Sequence, residues 1–127
     1  MSDVPMIAIV DDDESVRVAT ASLVRSFGFK TAVFASAEAF LASPALPQTD
    51  CLVTDVQMPT MSGLELFEAL RERGVALPVI FITSFPEERV RRRAEDAGAT
   101  GFLSKPFDAD AMMGFVFEAL KCQPLPR

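Results

Sequence analysis

The chain has 127 residues, half of them apolar, which is the size and composition of one globular domain with its own core. Its formal net charge of −6 repels polyanions, so we expect no direct binding of nucleic acid and no membrane partner. With no histidine, and with two cysteines that lack CxxC spacing, the sequence predicts no zinc site and a reducing compartment.

The amino terminus, MSDVPM, lacks the basic flank and the apolar centre of a signal peptide. No apolar run approaches the roughly 18 residues that a membrane-spanning helix requires. We therefore expect a cytoplasmic protein.

Short runs rich in β-branched and aromatic residues alternate with segments of helical periodicity. The runs predict strands at 6–10, 30–34, 51–54, 79–83 and 101–104. Helices are predicted over 14–27, over a short segment capped by Ser36, over 63–73, over 87–97, and after Asp108 as the cap of the last helix.

Each long helix has an apolar face that we expect to point inward. The predicted inward residues are Val16, Leu23, Val24 and Phe27 in the first helix, Leu64, Phe67 and Leu70 in the third, Val90, Ala94 and Ala97 in the fourth, and Met112, Phe115, Val116 and Leu120 in the last. Strict alternation of apolar strands with helices predicts an α/β fold, a doubly wound parallel sheet covered by helices on both faces.

Polar residues follow most of the predicted strands at their carboxyl ends. They are Asp11 and Asp12 after the first, Asp55 after the third, Thr83 with Ser84 at the fourth, and Lys105 followed by Pro106 at the fifth. In an open parallel sheet these ends share one edge, where ligands bind. Three carboxylates, a hydroxyl and an ammonium suit a hard divalent cation and a phosphoryl group.

A single Asp at a strand end is more often a turn former or a helix cap than a ligand. The joint occurrence at four strand ends is what favours a site. Within the stretch VDDDES, we assign Asp11 and Asp12 to that site. Asp13 is interpreted as the N-cap of the first helix and Glu14 as a first-turn acid that favours the helix dipole.

Four segments, IVDDDES, LVTDVQMPTMSGLEL, PVIFITS and GFLSKPF, occur in an order that resembles the receiver domain of two-component response regulators, over about residues 5–121. The likeness is closest in character to receivers of FixJ/LuxR-type regulators. It implies a flavodoxin-like sheet of five strands in the order 2-1-3-4-5 with five helices. The chain 1–127 would be a single receiver domain, with 123–127 as a tail or the stump of a linker.

The resemblance implies that Asp55 is the phosphoacceptor of a signalling switch and that the chain is not a turnover enzyme. The donor would be a phosphohistidine on a sensor histidine kinase or a phosphotransfer protein. The cofactor implied is Mg²⁺, or Mn²⁺, held by Asp11, usually through water, by Asp12, by Asp55 and by the backbone carbonyl of Gln57. Lys105 would pair with a phosphoryl oxygen, and the Lys105–Pro106 peptide bond would be cis.

The resemblance also assigns Thr83 as the switch hydroxyl and Phe102 as the aromatic side chain that turns inward behind it. Gln57, Ser84 and Phe85 would flank the phosphoryl group, with Ser84 where the family most often has a smaller residue. The surface of the fourth helix, fifth strand and fifth helix would then contact a second copy or a downstream effector.

Two alternatives remain at this point. The start DDDES also fits a haloacid-dehalogenase-like phosphatase with Asp11 as nucleophile and Asp13 as acid, assisted by Thr83 and Lys105. That scheme leaves Asp55 unexplained. The second alternative is a degenerate receiver that acts only as a binding module. The intact set of polar residues argues against this alternative.

Overall fold

The computed structural model describes residues 4–121, in which five strands alternate with five α-helices. The strands are β1 (Met6–Val10), β2 (Lys30–Phe34), β3 (Cys51–Asp55), β4 (Val79–Thr83) and β5 (Gly101–Ser104). The helices are α1 (Glu14–Ser26), α2 (Ala37–Leu41), α3 (Gly63–Glu72), α4 (Glu88–Asp96) and α5 (Ala109–Lys121). The predicted tail at 123–127 lies outside the described residues.

All five strands are parallel and lie in the order β2-β1-β3-β4-β5, as the resemblance implies. The chain reverses its direction of winding beside β1, which pairs with β2 on one side and β3 on the other. The register places Val10 opposite Thr54, and Asp55 opposite Ile82. The carboxyl ends of β1, β3 and β4 are therefore level with one another.

The sheet separates two apolar clusters, because successive residues of a strand point to opposite faces. In β1, Ala8 and Val10 belong to the cluster that includes buried side chains of α2, α3 and α4, whereas Ile7 and Ile9 belong to the cluster that includes those of α1 and α5. Every residue of β3 and β4 is buried. This burial on both faces explains why the central strands are mostly apolar, with polar residues only at their carboxyl ends.

Helix ends follow local signals in the sequence. Ser62 and Glu65 form a capping box at the start of α3, each side chain accepting from the other's backbone N–H. Gly28, Gly74 and Gly98, with φ of 95°, 74° and 96°, lie two residues past the ends of α1, α3 and α4. The predicted ranges 14–27, 63–73 and 87–97 were too long by one residue at one or both ends, because the extra residues are caps.

Two features of the backbone differ from the sequence-based prediction. Asp55 is the last residue of β3 rather than the first residue after it. A 3₁₀ turn at Leu46–Gln48 was not predicted; it contains Pro47 near its start and has no side-chain cap. A single turn of this kind has too few residues for periodicity to reveal it.

The inward face of α1 was predicted incorrectly in part. Its buried residues are Thr20, Ala21 and Val24, whereas Phe27 is 48% exposed and meets the ring of Phe117 edge-on at 6.0 Å between centroids. A helix that lies close to a sheet buries small side chains along its line of contact, and the larger ones lie at the margin.

In α5 the buried residues are Met112, Met113, Val116 and Ala119. Phe115 and Leu120, predicted to be inward, are only partly buried against the same cluster. None of the helices within residues 4–121 has both the length and the apolarity needed to cross a membrane.

Candidate functional site

Four parallel strands deliver polar side chains to one edge of the sheet. Asp11 and Asp12 follow β1, Asp55 ends β3, Thr83 ends β4, and Lys105 follows β5. Backbone hydrogen bonds continue the sheet past its strands: Asp11 N–H donates to the Phe34 carbonyl at 3.1 Å, and Lys105 N–H donates to the Thr83 carbonyl at 2.7 Å. The site residues are therefore fixed by the sheet and not by loops alone.

The three carboxylates converge. One oxygen each of Asp11, Asp12 and Asp55 lies within 4.8 Å of the others, and this group could hold a metal ion. Asp11 is fully buried, Asp55 is 5% exposed, and Asp12 is exposed to solvent. Clustered oxygen ligands of this kind suit a hard divalent cation, which keeps several waters on its solvent side.

Lys105 supplies the positive charge that the cluster needs. Its Nζ lies 2.9 Å from Asp11 Oδ2 and 3.3 Å from Asp55 Oδ2. Desolvation lowers the pKa of the ammonium, but the hydrogen bond and charge of Asp11, followed by those of Asp55, outweigh it and raise the pKa above its usual value. Lys105 is therefore charged at neutral pH and bridges the two buried acids.

The ionised form of Asp55 remains unfavourable even with Lys105 beside it. Burial, followed by the negative charge of Asp11, raises the pKa of the Asp55 carboxyl, although Lys105 opposes the shift. No donor within residues 4–121 makes a hydrogen bond of good geometry to Asp55 Oδ1. A buried carboxylate oxygen without a partner is costly, and it fits a site that binds a cation or reacts with an electrophile.

Asp13 points away from this cluster. Its side chain accepts from the backbone N–H of Ser15 at 2.9 Å and of Val16 at 3.3 Å, as the predicted N-cap of α1 does. The Ser15 hydroxyl hydrogen bond, with help from these N–H groups, lowers the pKa of the Asp13 carboxyl. The Asp11 side chain is placed differently: its Oδ1 accepts from the Asp13 N–H at the edge of the sheet.

Arg17 also belongs to the candidate site, and the sequence does not predict its contact there. Its guanidinium donates to the backbone carbonyl of Asp11 at 2.8 Å and so ties the first helix to the turn that carries the two acids. The contact spans six residues, so neither the helical period nor a motif identifies it. The sequence shows only an arginine near the start of a predicted helix, and its half-burial is a feature of the structure.

Thr83 and Gln57 form the polar link between β4 and the loop after β3. The buried Thr83 hydroxyl donates to Gln57 Oε1 and accepts from the Phe85 N–H at 2.9 Å. Ser84 and Phe85 are exposed, and the Phe85 side chain is 64% exposed.

Phe102 is half-buried in β5, opposite Phe81 of β4, and packs against the cluster that includes α4. It also borders a shallow cavity of about 280 Å³ together with Ser104 and Arg91. The peptide bond between Lys105 and Pro106 is cis. Beyond it, a groove of about 590 Å³ separates α1 from the loop between β5 and α5.

A family model described as the response regulator receiver domain matches residues 7–117. Over 119 residues the chain is 42% identical to the response regulator protein TmoT of Ectopseudomonas mendocina, covering 94% of this chain and 54% of that protein. It is 41% identical to TodT of Pseudomonas putida over 128 residues, which is 56% of that protein. The chain thus spans about half the length of these curated relatives.

A crystal structure of FixJ-N superposes with a TM-score of 0.86 at 35% identity, covering 99% of this chain and 100% of that one. The phosphatase alternative is not supported by these matches, and the Asp13 carboxylate that it requires as an acid is occupied as a helix cap. The fold, the acidic cluster and the match over residues 7–117 lead to one conclusion: this chain belongs to the response regulator receiver domain family.

Proposed function

We propose that the chain is a phosphorylation-activated signalling switch in which Asp55 accepts the phosphoryl group. The observation that carries this proposal is the Asp55 carboxylate itself. It is buried at the end of β3, it lies beside two more acids and Lys105, and within residues 4–121 its Oδ1 accepts no hydrogen bond of good geometry. A carboxylate is an established class of phosphoryl nucleophile.

In the reaction, an Asp55 oxygen forms a bond to phosphorus as the bond between phosphorus and the donor breaks. The donor histidine would lie outside residues 1–127, because these residues contain none. A sensor histidine kinase or a phosphotransfer protein fits that description, as the family membership suggests. Lys105, already 3.3 Å from Asp55 Oδ2, stabilises the negative charge of the transferred group.

We further propose that the site takes Mg²⁺ or Mn²⁺, which would neutralise phosphoryl oxygens during transfer. The residues that would hold the ion are Asp11, Asp12 and Asp55 with the backbone carbonyl of Gln57. Their oxygen chemistry fits such an ion, and so does the buried Asp55 Oδ1, which accepts no hydrogen bond of good geometry from residues 4–121. Exposed Asp12 lies where waters of hydration can remain.

The readout of phosphorylation would pass through Thr83 and Phe102 to the surface made by α4, β5 and α5. The contact of Phe102 with the apolar cluster behind that surface supports this route. A second copy of the chain or a downstream effector would bind there.

The chain as a whole would act as one receiver domain, and it would change state once for each phosphoryl group instead of turning over a substrate. The continuous sheet with its two clusters supports a single unit over about residues 5–121. A kinase partner of this kind would act on the protein in the cytoplasm, which is the location we propose.

The proposal is tested by intact-mass measurement after incubation with acetyl phosphate and Mg²⁺. Wild type should gain the mass of one phosphoryl group, and Asp55→Asn should gain none because the nucleophile is missing. Asp12→Ala should lose the Mg²⁺-dependent labelling. Asp13→Ser is the matched control: it retains a capping oxygen for α1 and should be labelled like wild type.

Labelling of Asp55→Asn at the wild-type rate would overturn the proposal. Sustained release of phosphate from a phosphomonoester, without a modified Asp55, would also contradict it.

A further inference from the structure

Gln57 lies two residues beyond the proposed phosphoacceptor and reaches a hydroxyl on the next strand. Its side-chain Oε1 accepts the hydrogen bond that Thr83 Oγ1 donates. The same Oγ1 accepts from the Phe85 N–H at 2.9 Å. Thr83 is fully buried, whereas Gln57 is exposed, so an exposed side chain closes over a buried hydroxyl.

A threonine hydroxyl has one proton to donate. In this structure that proton goes to Gln57. The oxygens of an aspartyl phosphate are acceptors, so Thr83 can bind them only by donating the same proton. One hydroxyl proton therefore has two competing acceptors, the Gln57 amide and the group that would be attached to Asp55.

We propose that Gln57 is a positioning residue that holds the Thr83 hydroxyl in the resting state and competes with the phosphoryl group for it. This inference rests on the proposed function of Asp55 as acceptor. It gives the Gln57 side chain a role separate from that of its backbone carbonyl. The strength of the Gln57–Thr83 hydrogen bond then sets how readily the phosphorylated state forms.

The exposure of Gln57 makes the idea testable without damage to the core. Gln57→Met keeps the length of the side chain and the backbone carbonyl, and removes the amide. The expected gain in affinity for a phosphoryl analogue is about 2-fold to 10-fold, because a net intramolecular hydrogen bond has that effect on an equilibrium.

The experiment measures binding of beryllofluoride with Mg²⁺ by calorimetry to wild type, Gln57→Met, Thr83→Val and the double variant. Gln57→Met should bind more tightly than wild type. In the Thr83→Val background the same change should have no effect, because no hydroxyl remains to be released. Gln48→Met, at an exposed glutamine in the 3₁₀ turn, is the matched control and should bind like wild type.

A second measurement needs no ligand. The Phe85 amide donates to the Thr83 hydroxyl, so its proton chemical shift should change in Gln57→Met and stay unchanged in Gln48→Met. An unchanged Phe85 signal would overturn the proposal, as would an equal gain in affinity with and without the Thr83 hydroxyl. If wild type itself fails to bind beryllofluoride, the proposed function of Asp55 fails, and the competition fails with it.

Discussion

Asp55 combines burial with a neighbouring negative charge, and both have consequences for stability. The pKa of its carboxyl is raised by desolvation first and by Asp11 second, so the folded protein holds the ionised form at a cost. Lys105 reduces that cost without removing it. A site of this kind stores electrostatic strain that a bound cation or a new covalent bond can relieve.

We predict that Asp55→Asn stabilises the metal-free protein at neutral pH by about 1–3 kcal/mol, the cost of an incompletely paired buried polar group. The gain should shrink as pH falls through the raised folded-state pKa of Asp55 towards its ordinary value of 3.8, because protonation of wild type then relieves the same strain. Urea unfolding followed by circular dichroism between neutral pH and about pH 4 measures the difference.

Asp12→Asn is the control for that series, since Asp12 is exposed and its charge is screened by solvent. It should change the free energy of unfolding much less. A difference between wild type and Asp55→Asn that grows on acidification would contradict the assignment of strain to Asp55.

Some roles of residues at the site could be predicted from the sequence, and others could not. Asp13 is recognisable as a cap because Asp followed by a helical segment is a local pattern, and the structure has it in that role. The contact of Arg17 with the Asp11 carbonyl could not be predicted, because it depends on how the first helix leaves the sheet edge.

At the level of elements, the close packing of α5 on β5 depends on a glycine, Gly101, which has no side chain. A Cβ at Gly101 would lie 2.5 Å from the Phe115 ring, far inside contact distance. On the opposite side of the sheet, a Cβ at Gly63 would collide with the Asp55 backbone carbonyl. Two glycines therefore allow helices to pack closely against the sheet that carries the site.

We predict that Gly101→Ala lowers the free energy of unfolding by about 1–3 kcal/mol, because overpacking forces Phe115 or α5 to move. Gly114→Ala is the matched change within α5, where the added Cβ meets nothing within 4 Å. It should raise stability by about 0.5–1 kcal/mol, since alanine is the better helix former. Thermal denaturation measures both variants.

Equal stability of Gly101→Ala and wild type would show that α5 has room to shift without cost. The sequence alone identifies Gly101 only as a residue of a predicted strand. Its close contact with Phe115 arises from the packing of two elements that are separated along the chain.

At the level of the whole molecule, a metal ion held by the acidic cluster would be coupled to folding. Asp11 and Asp12 follow β1 and Asp55 ends β3, so the repulsion between the buried Asp11 and Asp55 carboxylates acts between these two strands. An ion that binds only the folded protein stabilises all of it, because the site does not exist in the unfolded chain.

We predict that Mg²⁺ stabilises wild type by about 2.7 kcal/mol when its concentration is 100 times its dissociation constant. Asp12→Ala should lose most of this gain. Thermal denaturation with MgCl₂, compared with KCl at equal ionic strength, separates specific binding from general screening of the net charge of −6. An equal rise for Asp12→Ala would indicate screening alone.

The order of elements, the parallel sheet and the set of acids at its edge could all be predicted from the sequence, because periodicity, caps and strand-end residues are local patterns. The buried faces of α1 and α5, and the donors that reach each acid, are visible only in the folded chain. The hydrogen bond that the Thr83 hydroxyl donates to Gln57 belongs to the same group. These features depend on distances between segments far apart in the chain, which no local pattern encodes.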